Sequence, residues 1–202
     1  MPSLELDATA WLAGLSAQEQ HWCQGLAPAV RRRYAISRGL LRQRLGALLG
    51  MEVAAVPLHS PPGQPPRLGS GAGFISLSHS GSGLLLAWSA QPIGVDLEWG
   101  QRPLLAEALA QRFFPPPECA QIEVMPAALR KRAVLESWVC KEAAIKWRGS
   151  SLATDLRHWQ WDHQHHRLRH QLDGWAPPSS VVEREGWLCA AVGMDVAGAI
   201  WG

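Results

Sequence analysis

The sequence predicts an α+β protein made of two similar-sized halves that meet near residue 100. Helix-type and strand-type patterns alternate along the chain, and a strictly alternating strand over residues 93–98 closes the first half. The second half begins with helical patterns and ends in short strands, so the order of elements is roughly repeated, although no residue-level repeat is visible. We therefore predict subdomains over residues 1–100 and 101–202, with a functional site at their junction.

The composition excludes several classes of protein. The 202 residues include 19 Lys and Arg against 17 Asp and Glu, a nearly neutral balance that argues against a nucleic-acid partner. The four cysteines are far apart and form no Cys-x-x-Cys, which favours neither a zinc ribbon nor a disulfide-stapled domain and predicts a cytoplasmic protein. No leader and no long apolar run is visible, so no membrane partner is expected.

A cationic stripe lies on the second of two helices that are predicted between residues 16 and 50. This helix, over about 29–49, carries Arg31, Arg38 and Arg42 at spacings of seven and four, which places them on one face. Such a stripe often faces solvent. The alternative is anion binding, because a planar guanidinium contacts two phosphate oxygens together.

A polar cluster ends the next predicted strand. The segment 59–73 is rich in Pro and Gly and predicts a loop, after which residues 74–80 and 84–89 predict two strands around a Gly-Ser-Gly turn. Ser78 and His79 lie at the end of the first strand. A histidine there often serves only as a structural hydrogen-bonding group, but strand ends are also common places for functional sites.

Two carboxylates share one face of the strand over 93–98. Asp96 and Glu98 point one way and the apolar Val95 and Leu97 point the other. A solvated strand face is one explanation. A divalent cation between the two carboxylates is the other, because it would relieve their repulsion.

In the second half, the patterns predict helices over 101–114 and 126–148, separated by a proline run and a short helical piece. Short strands are then predicted over 159–172, 179–183, 186–192 and 197–201. Several histidines lie in the first of these regions, but their alternation does not bring four of them together, so an exposed hairpin is expected rather than a metal site. These histidines are His158, His163, His165, His166 and His170.

Glu142 interrupts the apolar stripe of the long helix. Steps of three and four residues from Glu142 reach Leu135, Trp138 and Ile145, so a carboxylate is placed where an apolar side chain is expected. A buried carboxylate needs a cation, a metal or a hydrogen-bond network. Lys146, one turn away, offers the simplest explanation, an ordinary helix ion pair.

Four groups of residues stand together in one order along the chain. They are Ser78-His79-Ser80, Gly94-Val-Asp96-Leu-Glu98, Phe113-Phe114 with Glu118, and Trp138-x-x-Lys141-Glu142-Ala143-x-x-Lys146. This combination resembles the 4′-phosphopantetheinyl transferase superfamily, in its single-chain, surfactin-synthetase-activating type (holo-acyl-carrier-protein synthase). The resemblance covers about residues 38–147.

The resemblance implies the following reaction and fold. Coenzyme A would donate its phosphopantetheine to a serine of an apo acyl or peptidyl carrier protein, with release of adenosine 3′,5′-bisphosphate. The two subdomains would be related by a pseudo-two-fold, with the active site in the cleft between them, and the protein would be a monomer.

The resemblance also implies roles for individual residues. Asp96, Glu98 and Glu142 would hold Mg²⁺, or alternatively Mn²⁺, and Glu142 is a candidate base. The residues that would contact coenzyme A are Arg42, Ser78, His79, Lys141 and Lys146. Of these, Lys146 would also act in catalysis, together with Asp96 and Glu142.

One position departs from the family pattern. Where the family often has Gly-Lys-Pro, this chain has Gly63-Gln64-Pro65, so one expected cation is missing and Arg67 is the candidate to replace it. Three other functions remain open from the sequence: a nucleic-acid-binding module, a metal-dependent nucleotide phosphohydrolase, and a non-catalytic homologue that only binds coenzyme A.

Overall fold

The structure, a computed structural model, describes residues 11–199 and 201, and it confirms the α+β class. The helices are α1 (Ala17–Gln24), α2 (Pro28–Leu49), α3 (Ala106–Phe113), α4 (Pro116–Glu123), α5 (Ala127–Arg148) and α6 (Leu152–Asp155). The strands are β1 (Leu58–His59), β2 (Arg67–Leu68), β3 (Phe74–Ser80), β4 (Gly83–Ser89), β5 (Ile93–Trp99), β6 (Trp159–Asp162), β7 (Arg167–His170), β8 (Ser179–Arg184) and β9 (Trp187–Gly193). Among these residues no helix combines the length and the apolar character that crossing a membrane requires.

Both N-terminal helices have clear end signals. Ser16 caps α1 in a capping box with Glu19. Helix α2 begins at Pro28 and ends at Gly50, whose φ of 64° is left-handed. The following loop is less irregular than predicted, because β1 and β2 form a short antiparallel pair within it.

Strand β5 lies between elements of both halves. Strands β3 and β4 form an antiparallel hairpin, and the Ser76 hydroxyl of β3 accepts a hydrogen bond from the Val95 amide of β5. On its other edge, β5 pairs antiparallel with β9, which in turn pairs with β8. The sheet therefore joins a strand from residues 1–100 to two strands from residues 101–202. The predicted boundary at residue 100 and the pseudo-two-fold relation stay predictions.

Helix α5 packs across this sheet. Its buried side chains, including Val139, Ala143 and Ala144, contact the tryptophans and small residues of β6 and β9 in the largest apolar cluster. At Gly94 of β5 the approach is closest, since a Cβ atom there would lie 1.9 Å from the carbonyl oxygen of Ala143. Glycine is what allows the strand to rest on the helix backbone.

Three predicted elements differ from the structure. Helix α3 begins at Ala106 rather than near residue 101, because Pro103 disfavours helical conformation at the residue before it. Residues 196–198 form a 3₁₀ turn closed by a hydrogen bond from Gly198 to Asp195, so the strand predicted over 197–201 is wrong for the described residues there. Of the hairpin histidines, His170 is buried rather than exposed, because Asp155 and Arg148 contact its ring.

Candidate active site

A cavity of about 690 Å³ opens between helix α2, the loop before β2, strands β3 and β5, and the C-terminal half of α5. The carboxylates of the wall come from β5 and α5, whereas its arginines come from α2 and β2. The charged and titratable residues that line it are Arg33, Arg38, Arg67, His79, Asp96, Glu98, Glu142 and Lys146. Elements from both halves of the chain therefore contribute to the cavity.

Asp96 is buried, and its carboxylate accepts two hydrogen bonds. Its Oδ1 accepts hydrogen bonds from Ser78 Oγ at 2.5 Å and from Lys146 Nζ at 2.7 Å. Lys146 also donates to the Val95 carbonyl at 3.1 Å. Burial raises the pKa of Asp96, and the Lys146 ammonium opposes that rise. Ser78 therefore contributes to the site by donating a hydrogen bond to Asp96.

Glu98 is held on both of its oxygens. Ser80 Oγ donates to Oε2 at 2.7 Å, and Arg102 forms an ion pair with Oε1. Ser80 and Glu98 lie on adjacent strands, so the hydroxyl of β3 reaches the carboxylate of β5 directly. Nothing in the sequence pattern identifies Arg102, because it lies beyond the strand in a turn.

Glu142 faces the same cavity from helix α5 and is half-buried. Burial raises its pKa to about 7, and the neighbouring negative charges of Asp96 and Glu98 add to the rise. The nearby Lys146 and a hydrogen bond with Trp138 act in the opposite direction. The interruption of the apolar stripe is thus explained by the cavity, and the hydrogen bonds of Lys146 go to Asp96 and Val95.

The three carboxylates fit a divalent cation in chemistry. Their oxygens are the hard ligands that Mg²⁺ and Mn²⁺ prefer, and the raised pKa of Glu142 records a repulsion that a cation would relieve. Within residues 11–199 and 201, however, no three His, Cys, Asp or Glu side chains already form a metal-binding group. Lys146 and Arg102 take the place of a cation on Asp96 and Glu98.

Helix α2 contributes arginines to the cavity wall. Arg38 is only 8% exposed, stacks on the Tyr34 ring at 5.2 Å, and has no hydrogen-bond partner for its buried Nε among the described residues. Burial lowers its pKa. Burial, followed by the charge of Arg33, lowers the pKa of His79. Because Arg33 and Arg38 form no ion pair with any carboxylate in the described part of the chain, they indicate a site for an anion.

Comparison with known proteins identifies the family. The family model for the 4′-phosphopantetheinyl transferase superfamily matches residues 92–192, half of the chain. The chain belongs to this superfamily. It is also 36% identical over 132 residues to the 4′-phosphopantetheinyl transferase HetI of Nostoc sp., an alignment that spans 62% of this chain and only 55% of that relative.

The structure brings most, but not all, of the predicted transferase residues together. Asp96, Glu98, Glu142, Lys146 and the Ser78-His79 pair line the cavity. Gln64, in the loop before β2, and Arg67, at the start of β2, both line the cavity, and the replacement of the missing lysine by Arg67 stays a prediction. These positions agree with the predicted roles, which stay predictions.

Arg42 does not reach the cavity of this transferase family member. It is buried against Glu19, with Nε 2.5 Å from a carboxylate oxygen, and its other nitrogens donate to backbone carbonyls. Those carbonyls belong to Val53, Ala54, Val56 and Leu58. The predicted phosphate contact is corrected to a structural role, since every part of the guanidinium is already engaged.

Lys141 is likewise directed away from the cavity. Its Nζ lies 2.7 Å from Glu118 Oε2 and 3.7 Å from the centre of the Phe114 ring, and both charged side chains are fully buried. Because Lys141 and Glu142 are adjacent on a helix, they point about 100° apart, so only one of them can face the cavity. Lys141 therefore joins α4 to α5, and its predicted phosphate contact is corrected.

Proposed function

We propose that this protein transfers the 4′-phosphopantetheine group of coenzyme A to a serine of an apo acyl or peptidyl carrier protein. The observation that carries the proposal is one cavity lined by three carboxylates and by arginines that form no ion pair with the described residues, namely Arg33, Arg38 and Arg67. A pyrophosphate with a further phosphate, as in coenzyme A, matches this distribution of charge. We further propose that the protein acts as a cytoplasmic monomer, as the first-half and second-half residues of one chain complete the cavity.

The arginines of the cavity wall are proposed to bind the phosphates of coenzyme A. Arg38 presents a buried guanidinium whose Nε has no hydrogen-bond partner among the described residues, and Arg33 and His79 line the same cavity. Arg67 adds an exposed cation next to the neutral Gln64. An anion bound here would compensate the buried charge of Arg38 and would also be attracted by the exposed Arg33 and Arg67.

In the proposed reaction, the serine oxygen of the carrier attacks the phosphorus atom that bears the pantetheine oxygen. A new O–P bond forms, and the bond from this phosphorus to the bridging oxygen of the pyrophosphate breaks. The bridging oxygen leaves as part of adenosine 3′,5′-bisphosphate, and the proposed role of Lys146 is to offset the charge that develops on this oxygen. The serine proton passes to Glu142, directly or through water.

Glu142 suits proton transfer because its pKa of about 7 is close to neutrality. Mg²⁺ or Mn²⁺ held by Asp96, Glu98 and Glu142 would supply a Lewis acid that neutralises phosphate oxygens. The two roles of Glu142 compete, since a metal-bound carboxylate is a weaker base. In Glu142→Gln, loss of transfer with retained Mn²⁺ binding assigns proton transfer, whereas loss of both assigns the ligand role.

The test is to incubate the protein with coenzyme A, Mg²⁺ and several apo carrier proteins and to weigh the carriers by mass spectrometry. We expect a mass gain of one phosphopantetheine that requires the metal and disappears in Asp96→Ala. Glu107→Gln, which changes an exposed carboxylate outside the cavity, serves as the control and keeps activity. Unmodified carriers with intact coenzyme A contradict the proposal, and breakdown of coenzyme A without a carrier indicates a phosphohydrolase instead.

A further inference from the structure

Glu98 is the one carboxylate of the cavity wall that is turned toward an arginine. Arg102 pairs with Oε1 while the Ser80 hydroxyl donates to Oε2, so both oxygens are engaged. The Glu98 side chain is 11% exposed and that of Arg102 is 35% exposed. The pair is therefore shielded on the side of the carboxylate and open to solvent on the side of the arginine.

The backbone fixes Arg102 in this place. Its amide donates to the Trp99 carbonyl at 3.0 Å, which closes the turn after β5, and Gly100 donates to Gly186 at 2.9 Å, which ties the same turn to the start of β9. Pro103 follows and restricts the Arg102 backbone further. The guanidinium is thus carried by an ordered turn and not by a long free loop.

The Arg102–Glu98 ion pair changes the net charge around the carboxylates of the cavity. Asp96, Glu98 and Glu142 bring three negative charges, and Lys146 and Arg102 bring two positive charges. A divalent cation attracted to the carboxylates meets a cluster that the protein has largely neutralised itself. The cation must also replace Arg102 as the partner of Glu98.

We propose that Arg102 is a positioning residue that holds Glu98 as an internal counter-ion and competes with the divalent cation for it. Arg102 thereby weakens metal binding to the free protein, so that firm binding requires additional oxygens from a phosphate-bearing substrate. The inference rests on the proposed function, in which these carboxylates hold the metal.

The experiment measures Mn²⁺ binding to the complete, metal-free chain by titration calorimetry at low ionic strength. We expect Arg102→Gln to bind Mn²⁺ about two- to fivefold more tightly, the effect of one partly exposed ion pair, and Arg102→Lys to lie between Arg102→Gln and the unmodified protein. Arg132→Gln is the matched control, because Arg132 forms a comparably exposed ion pair with Glu183 outside the cavity. This variant is expected to bind Mn²⁺ as the unmodified protein does.

A second comparison shows whether Arg102 acts through Glu98. In a Glu98→Gln background, Arg102→Gln is expected to give no further tightening. Equal or weaker binding in Arg102→Gln, no measurable binding in any variant, or the same tightening in the Glu98→Gln background overturns the inference. These outcomes concern metal affinity alone, whereas failure of the proposed function appears as carriers without a mass gain, whatever the Mn²⁺ affinities are.

Discussion

Glu142 carries a carboxylate whose ionised form is disfavoured in the folded protein. Its carboxylate is half-buried, and both burial and the charges of Asp96 and Glu98 favour the protonated form. In the unfolded chain these influences are absent, so the carboxylate returns to its ordinary pKa. Proton binding by Glu142 is therefore linked to folding.

We predict that Glu142 makes the metal-free protein less stable as the pH rises. The folded pKa of about 7 lies above the ordinary value of 4.5. Between these values the folded state binds more protons than the unfolded state, so the contribution of Glu142 to the free energy of unfolding falls from about pH 4.5 to about pH 7. Urea denaturation in EDTA should show a weaker decline in Glu142→Gln than in the unmodified protein. Identical pH profiles would contradict this, and Glu107→Gln is the control.

Arg38 and Arg42, one turn apart on α2, have different surroundings. Arg42 is fully paired inside the protein, whereas Arg38 keeps a buried Nε without a partner at the cavity. Their spacing alone does not distinguish them, since both lie on the same helix face. Arg42 is fully paired because Glu19 and the backbone carbonyls of residues 53–58, which lie elsewhere in the sequence, accept hydrogen bonds from its guanidinium.

We predict that substitution of Arg42 lowers the stability of the protein, whereas substitution of Arg38 weakens coenzyme A binding. Arg42→Met should lower the free energy of unfolding by about 3–5 kcal/mol, because Glu19 is left buried without its partner. Arg38→Met should keep the stability but weaken coenzyme A binding by about 1.5–3 kcal/mol, the value of a charged hydrogen bond. Denaturation curves and calorimetric titration with coenzyme A measure the two effects. A coenzyme A affinity unchanged in Arg38→Met would remove Arg38 from the proposed site.

At the scale of elements, the contact between β5 and α5 determines the geometry of the site. Strand β5 carries Asp96 and Glu98, α5 carries Glu142 and Lys146, and the two meet without an intervening side chain at Gly94. The small Ala143 on the helix side makes the same approach possible. Lys146 can therefore reach both Asp96 and the backbone of β5.

We predict that Gly94→Ala separates these elements. The new Cβ atom would lie 1.9 Å from the Ala143 carbonyl oxygen and 2.4 Å from the Trp147 amide nitrogen, distances that only a shift of the helix or strand can relieve. We expect a loss of at least about 1–3 kcal/mol of stability, together with loss of transfer. Thermal unfolding measures the first effect. Gly198→Ala, where a Cβ atom meets nothing within 4 Å, is the control, and equal melting temperatures for the two variants would contradict the prediction.

The sequence predicts elements better than it predicts their partners. The strands over 74–80 and 93–98 and the long helix are foreseeable, because alternation and helical spacing are local properties. The pairing of Lys141 with Glu118 is not, since it depends on which side of α5 faces α4. Arg102 is missed for the same reason: its contact with Glu98 arises from a turn whose path the pattern of side chains does not encode.

At the scale of the whole molecule, the two halves share one sheet and its apolar clusters. Val95 of β5 packs with Ala191 and Val196, and Leu97 packs with Trp187 and Cys189. The cut at residue 100 that the order of elements suggests would thus separate β5 from its partner β9. Similar halves in sequence order need not be independent folding units.

We predict that residues 1–100 and 101–202 do not fold when they are produced separately. Each fragment would expose one edge of the β5–β9 pair and half of the apolar clusters. Circular dichroism during denaturation should show no cooperative transition for either fragment, and mixing the two should restore one. A cooperative transition in a fragment alone would instead support independent subdomains divided at residue 100.

The close approach at Gly94 has a consequence for how this protein can change over time. Main-chain atoms, which all amino acids share, set the distance between the charges on β5 and those on α5. Substitutions elsewhere in the core can accumulate and compensate one another without altering that distance. Residues 62–67 and the residues of α2 that line the cavity can therefore vary while the charged groups on β5 and α5 keep their spacing.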